Sequence, residues 1–537
     1  MKQLTSLLTV FAGLVLLCAC GKRETPVERA NREQMLLLGN GAEPKDLDPH
    51  VVTGLPEHYI ISSLIEGLVI EDPKTVEILP GMAESWDISE DGTTYTFHLR
   101  DAEWSNGDPV VAGDFVYGVK RILNPELGGE NAYMLYILKN AEAFNKGELT
   151  DFSEVGVKAV DDKTLQYTLR GPSPYFLPRL IHYAWFPVNP TAVDAVDGFA
   201  KIGSGWTKPG RFVGNGPFTL SEWRVNDRIV VTKNPTYYGA EQVKLNGITF
   251  FPIDDENTEE RAFRTGQLHV TGTVPYNKIV EYKAKPDSEL RVHDYVSTYY
   301  YMFNTTREPF NDPRVRRALT YAIDRDAIVK HITGAGEQVA LHFVPPKMPD
   351  YAYSAKVEPS LAEAKRLIEE VASEKYPDGF PPVQLLYNKS ELHLQIAESI
   401  QQMWKKNLGI EVELVNQEWK VYLDTRNNLQ YDVCRAGWVA DYADPNTFLD
   451  MFITDSGNNN TGWSNQEYDD LIKRAGATAS AEERMELLQQ AETILLTDLP
   501  IAPIYFYVSK SLVRPEVKGW YPNILDHHPY TAISLEP

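Results

Sequence analysis

Residues 82–123 read MAESWDISEDGTTYTFHLRDAEWSNGDPVVAGDFVYGVKRIL. Tyr95, Phe97 and Leu99 alternate with polar neighbours, the two-residue period of a strand with one buried face. Ser105-Asn106-Gly107-Asp108 reads as a turn, since these residue types tolerate the backbone angles of a chain reversal. Gly113-Asp114 then opens an amphipathic helix. Upstream, Leu36 to Pro49 reads as a strand followed by a loop, and Glu57 to Val69 as a helix leading to a Gly-punctuated turn. Downstream, Asp312-Pro313 opens a helix whose apolar face is Val315, Ala318, Leu319 and Ala322, with Arg314, Arg316 and Arg317 expected in solvent.

The chain has 537 residues, more than one core organises, so two or three lobes are expected. Hydrophobic residues at 43% and charged residues at 24% exclude wholesale disorder and a polytopic membrane protein. A net charge of −23 argues against a nucleic-acid partner, because an acidic protein gains no affinity from releasing phosphate counterions. The 29 Tyr, apolar in body and polar at the tip, suit a wet binding surface.

Met1 to Cys20 has the form of a secretory signal: Lys2, then an apolar run from Leu7 to Leu17, too short to span a bilayer. It ends Leu17-Cys18-Ala19-Cys20-Gly21, which resembles the lipobox of bacterial lipoproteins. That resemblance implies cleavage before Cys20 and lipid on its thiol. A polar tether is expected after it, over residues 20–30 and as far as Gln34. Of three Cys, Cys434 is then left without a partner and is read as a small buried hydrophobe.

No HExxH spacing, GxSxG elbow or Walker A motif occurs. The acid pairs Asp161-Asp162 and Asp254-Asp255 are loop-like, and His527-His528 is an adjacent pair whose side chains would point apart in a strand. The reading is therefore no metal, no cofactor and no enzyme, with a secreted hydrolase as the remote alternative.

The stretch with binding chemistry is Tyr431 to Leu449, YDVCRAGWVADYADPNTFL. Arg435 and Asp441 lie six residues apart, ~20 Å on an extended backbone at ~3.3 Å per residue, about the span of a short peptide. An extended ligand beside this strand could pair with the backbone of Gly437 and Val439, as an added strand does, and offer an ammonium to Asp441. Two plainer roles stay open at this point: Asp441 as the opening of a turn, and Arg435 as an internal ion-pair partner.

AESW, TFHLR, W-S-x-G-x-P-V and DFVY, in that order, resemble the solute-binding receptors of bacterial peptide-importing ABC transporters. So do AVDDKTLQYTL at 159–169, GNGPFTLSEW at 214–223, NPTYY at 234–238 and NTTREPFNDPRVRRALTYAIDRDAI at 304–328. Residues 385–449 resemble the oligopeptide-binding members in particular. The resemblance implies an α/β fold of two lobes, of the periplasmic-binding-protein type II-like kind, with an additional third domain inserted in the N-terminal lobe. Its expected division is residues 31–73, 193–297 and 509–537 for lobe I, 74–192 for the extra domain and 298–508 for lobe II. Hinge closure would enclose the ligand.

By motif position the resemblance assigns Asp441 to the peptide's α-ammonium and His393, Arg426 and Arg435 to its carboxylate. Gly437, Trp438, Val439, Tyr295 and Tyr300 are assigned to the cleft. Because VSTYYYMF reads as a strand, its alternate Tyr must face two sides and some are structural. Thr53 and Thr333 stand where close relatives carry an acid and a lysine, and Ser297 and Val439 where some carry cysteines. The function implied is a monomeric, lipid-anchored receptor of the periplasm or cell envelope. It would bind peptides of two to five residues and hand them to ABC permease subunits. The same fold also serves other ligands: dipeptides, murein peptides, peptide signals or nickel chelates.

Overall fold

The structure is a computed structural model describing residues 24–536. The lipidation assignment to Cys20 and the signal segment therefore lie outside the described residues. Three sheets carry the fold. The first has the order Met35–Gly39, Gly247–Phe251, Arg228–Lys233, Phe218–Arg224, with its first pair parallel and the rest antiparallel. The second is antiparallel, in the order Ala83–Ile88, Thr94–Leu99, Thr164–Thr168, Val157–Asp161. The third has six strands, in the order Gln338–Val339, Ile501–Leu512, Leu290–Phe303, Val433–Val439, Val383–Asn388, Val412–Gln417.

The alternation at 95–99 explains the second sheet. Tyr95, Phe97 and Leu99 are buried and their neighbours half-buried. Gly107 takes φ +89 in the turn, a conformation that disfavours a β-carbon. Asp114 in the first turn of the helix Ala112–Ile122 accepts from the Val111 amide at 3.0 Å and from Trp104 Nε1 at 2.9 Å. One carboxylate thus caps the helix and fixes the buried indole.

Two long strands join the parts. Leu290–Phe303 and Ile501–Leu512 pair antiparallel, but the register slips between Asp294 and Thr298. On one side of the slip Leu512 packs with Phe263, Leu268 and Ile279. On the other, Tyr299, Tyr301, Phe303, Ile504 and Tyr505 belong to the core under the helices Pro313–Tyr321, Leu361–Lys375 and Glu391–Leu408. The paired strands therefore run from one core into another.

Two expectations are corrected. Pro26–Glu33 is a helix rather than a tether. Thr25 and Glu28 close a capping box, and Val27 and Ala30, three apart and so on one face, are buried against Leu37, Met35 and Phe251. In the helix Pro313–Tyr321, Arg316 is buried, not solvated, and donates to the carbonyls of Phe310, Asp498 and Leu499. Those carbonyls include the C-terminal end of the helix Ala481–Asp498, which a guanidinium satisfies well.

Candidate functional site

The strand Val433–Val439 has one paired edge and one open edge. Along its whole length it pairs antiparallel with Leu290–Phe303, whereas Val383–Asn388 reaches only Val433 and Cys434. In an antiparallel ladder, successive residues direct their backbone groups to opposite sides. Ala440 donates to the Val296 carbonyl and the Trp438 carbonyl accepts from Ser297 Oγ, so the even-numbered residues face the paired strand. Gly437 and Val439 consequently direct N–H and C=O to the open edge. Gly437 is exposed and Trp438 and Val439 are half-buried. A β-carbon at Gly437 would sit 3.2 Å from both Arg435 Nη2 and the Tyr507 hydroxyl, so glycine keeps the space beside the guanidinium free.

Arg435 begins this edge. Its Nη1 donates to Asn388 Oδ1 at 3.2 Å, its Nη2 to the Tyr507 hydroxyl at 2.5 Å, and its guanidinium lies 4.8 Å from the Tyr299 ring centre. Nε has no partner, and among the described residues no carboxylate lies within ion-pair distance. The internal ion pair of the plainer reading is therefore absent. His393, in the first turn of Glu391–Leu408, is buried 5.6 Å from the Tyr299 ring. Burial and then the Arg435 charge hold it well below the usual imidazole range, so it meets the site as a neutral ring rather than a cation. Arg426, in the last turn of Trp419–Asn427, bonds Asn427 through Nε and leaves Nη2 without a partner.

Asp441 ends the edge. Its amide donates to Thr447 Oγ1 and its Oδ2 accepts from that hydroxyl, both at 3.0 Å, with His182 Nε2 3.6 Å from Oδ1. Desolvation pushes its carboxyl up to about 7; the Thr447 bond lowers it and Asp450 raises it further. Arg179, 3.2 Å from Asp450 and itself buried, is the nearby compensating cation. The Thr447 bond does make a local turn, so that part of the plainer reading is present. What it leaves is a carboxylate with a second oxygen facing only a histidine, which desolvation keeps down at about 3.

Of the two tyrosines, Tyr295 is half-buried and feels the Tyr59, Asp526 and Tyr507 hydroxyls and charges. Tyr300 is instead a core ring, buried edge-on against Phe343 at 5.0 Å, with the charges of Arg426 and Arg435 reaching its hydroxyl. Tyr507, His182, Thr447 and Asn388 belong to the site and were not singled out from sequence. His527 and His528 do point apart, to Glu71 and Asp526 respectively. Among the described residues no group of side chains could hold a metal ion, no helix could cross a membrane, and Cys434 is a buried free thiol.

Contacts across the cleft join residues before 190 and around 254 to the 389–458 region. Lys45 meets Asp424 at 2.8 Å, Glu130 accepts from Asn427 at 2.8 Å, Asn131 from Asn458 at 2.9 Å, and Asp254 pairs with Lys389 at 3.0 Å. A two-lobed α/β frame with an open strand edge between an acid and a guanidinium has the form of a solute-binding protein. The chain belongs to the bacterial extracellular solute-binding proteins, family 5, whose model matches residues 77–460.

The Escherichia coli periplasmic oligopeptide-binding protein OppA is 38% identical over 503 residues, covering 91% of this chain and 90% of that protein. The Haemophilus influenzae OppA complex with RPPGFSPFR superposes with a TM-score of 0.89 at 34% identity, over 94% of this chain and 99% of that one. The E. coli murein tripeptide-binding protein MppA superposes at 0.88, with 36% identity, over 93% of this chain and 98% of that one. Its unliganded open form gives only 0.62, at 35% identity over 94% and 97%. Since those two structures are one protein, the lobe arrangement here is unlike the open form.

Proposed function

We propose that this protein is an extracytoplasmic receptor that encloses peptides of about two to five residues between two lobes and delivers them to an ABC-type importer. The observation that carries this reading is the open backbone edge at Gly437 and Val439, with an acid at one end and, at the other, the Arg435 guanidinium, which has no acid partner. A peptide with its ammonium at Asp441 and its carboxylate toward Arg435 would lie antiparallel to the strand Val433–Val439. It would pair its own backbone with Gly437 and Val439. Shorter or longer peptides would bring their carboxylate to another of Arg435, Arg426 and His393. Backbone and termini are common to all peptides, and water in the side-chain spaces tolerates variety, so sequence would matter less than length.

The relatives named for oligopeptides and for murein tripeptide support a peptide ligand. In this reading lobe I comprises residues 31–73, 193–297 and 509–537, the extra domain 74–192 and lobe II 298–508. In the same reading the two crossings between the lobes fall at the slip in register between Asp294 and Thr298. Lipid on Cys20 would tether a monomer to the membrane beside its permease.

Native mass spectrometry of the purified protein tests the ligand. Short peptides retained in the gas phase and released on denaturation are expected. Retention of a non-peptide solute, with no peptide bound when a mixture of di- to pentapeptides is supplied, would overturn the reading.

A further inference from the structure

Two glycines mark where residues 74–192, the extra domain, touch lobe II. Neither Gly171 nor Gly457 takes a left-handed φ, so either backbone would accept a side chain. What excludes one is the opposite part of the molecule. A β-carbon on Gly171 would sit 2.9 Å from the Ala477 β-carbon and 3.0 Å from its Cα. One on Gly457 would overlap the Glu130 carbonyl oxygen and lie 2.7 Å from the Glu130 Cα. These partners are backbone, or the first atom beyond it, and have no rotamer through which to yield.

The same seam holds a socket for Tyr175. Its buried ring lies 3.9 Å from the Arg484 guanidinium and stacks on Tyr442 at 6.3 Å. Two bonds to Asp444, at 2.6 and 2.8 Å, fix the cation that faces the ring. Arg179 pairs with Asp450 at 3.2 Å, both side chains buried, and Asn458 donates to Asn131 at 2.9 Å. Away from the crossing strands, lobe I meets lobe II through side-chain ends instead. Asn257 donates to Glu391 at 2.6 Å, and the pairs Lys45–Asp424 and Asp254–Lys389 leave between 27% and 56% of each side chain exposed. Ion pairs so exposed contribute little.

The grip is continuous with the ligand site. Tyr442, Asp444 and Asp450 follow Asp441 directly in the chain. Thr447 bonds Asp441, and Asn446 donates to the Tyr442 hydroxyl at 3.1 Å and to Asp450 at 2.7 Å. The segment that carries Asp441 is thus the segment that grips Tyr175 and Arg179.

We propose that the extra domain is the closure clamp: its glycine-tight seam and the Tyr175 socket hold lobe II shut over the ligand and scale the affinity for all peptides by one common factor. The inference rests on the peptide reading and the domain division above. Where only the shut form binds, apparent affinity is the intrinsic affinity multiplied by the fraction shut, whatever the ligand. Residues of the seam then govern binding strength without touching the peptide.

Calorimetry and small-angle scattering of wild type, Gly171→Ala and Gly457→Ala test this with trialanine, tetraalanine and trialanine amide. Each added methyl is expected to weaken all three ligands by the same factor, at least about tenfold. Correspondingly more peptide should be needed before the radius of gyration contracts. The melting temperature of the empty protein should stay unchanged, because parted lobes bring these glycines no opposing neighbour. Alanine variants that bind and contract like wild type, or losses that differ among the three ligands, would overturn the clamp while leaving peptide binding intact. Wild type that binds no peptide would overturn the reading beneath it as well. Should an alanine variant fail to fold, Tyr175→Leu, which takes the ring from the Arg484 cation and leaves the backbone contacts in place, is expected to show the same common loss and is overturned by the same results.

Discussion

Replacing Arg435 by Met should move stability and affinity in opposite directions. The guanidinium is half-buried, Nε lacks a partner, and its nearest groups are Asn388, Tyr507, Tyr299 and the neutral His393 rather than an acid. A charge held this way is partly desolvated without a counter-charge, and a neutral side chain of similar length removes that penalty. Replacing a buried ion pair by apolar residues is neutral to stabilising by ~1–4 kcal/mol, and a lone, half-buried guanidinium with two hydrogen bonds should gain no more than the low end, ~1 kcal/mol. The ligand carboxylate would lose charge-assisted bonds contributing ~1.5–3 kcal/mol, or about ten- to about 150-fold in affinity. The assay is thermal unfolding of the empty protein together with calorimetry of di- to pentapeptides and their C-terminal amides. At one peptide length, Arg435→Met should match the loss that amidation causes on wild type, and the amide should bind both proteins alike. A less stable empty protein whose affinity is unchanged at every length would show that Arg435 is a packing residue and refute the argument.

Two further outcomes follow from the same geometry and a third from the sequence. Because the Asp441 carboxyl is pushed up to about 7, mainly by burial, binding an ammonium must expel its proton. Affinity should therefore fall as pH drops from 7 toward 5, approaching tenfold per pH unit, and fall again above pH ~8 as the peptide's own amine, of pKa ~7.7–8.0, is neutralised; calorimetry in buffers of different ionisation heat counts the proton. Arg179→Met strands the buried Asp450, whose carboxyl burial already pushes up to about 6, so closure should weaken and peptide affinity drop about 100-fold. Adding Asp450→Asn should restore most of it, with small-angle scattering reporting closure. Cys20→Ala should abolish labelling by a fatty-acid analogue in cells, and a mutant that still acquires lipid would remove the anchor from the account.

Much of the frame was legible because the local signals agree. The alternation of Tyr95, Phe97 and Leu99, the turn at Gly107 and the cap at Asp114 each dictate one conformation. The open edge at Gly437 and Val439 was an inference from spacing; that it is open depends on where Val383–Asn388 stops, a long-range fact with no local signature. Tyr300 shows the limit of strand parity, which says that neighbouring rings face opposite sides but not which side is core. The sequence of its helix puts Arg316 in solvent, because burial by carbonyls 182 residues away leaves no trace there. His182 and Tyr507 come to Asp441 and Arg435 only through tertiary folding. The helix Pro26–Glu33, by contrast, had a visible Thr-x-x-Glu capping box and was readable.

The central claim is that Asp441 reads the ligand's free amine, and a four-way calorimetric cycle tests it. The free tripeptide and its N-acetyl form are each titrated into wild type and Asp441→Asn. Removing one partner of an enclosed charge pair costs ~3–5 kcal/mol, so either change alone should weaken binding by ~100-fold to several thousand-fold. Both together should cost little more than one, because they delete the same contact. Full additivity, or wild-type affinity for the acetylated peptide, would contradict the account and leave Asp441 as the turn residue that its Thr447 bond alone would make it.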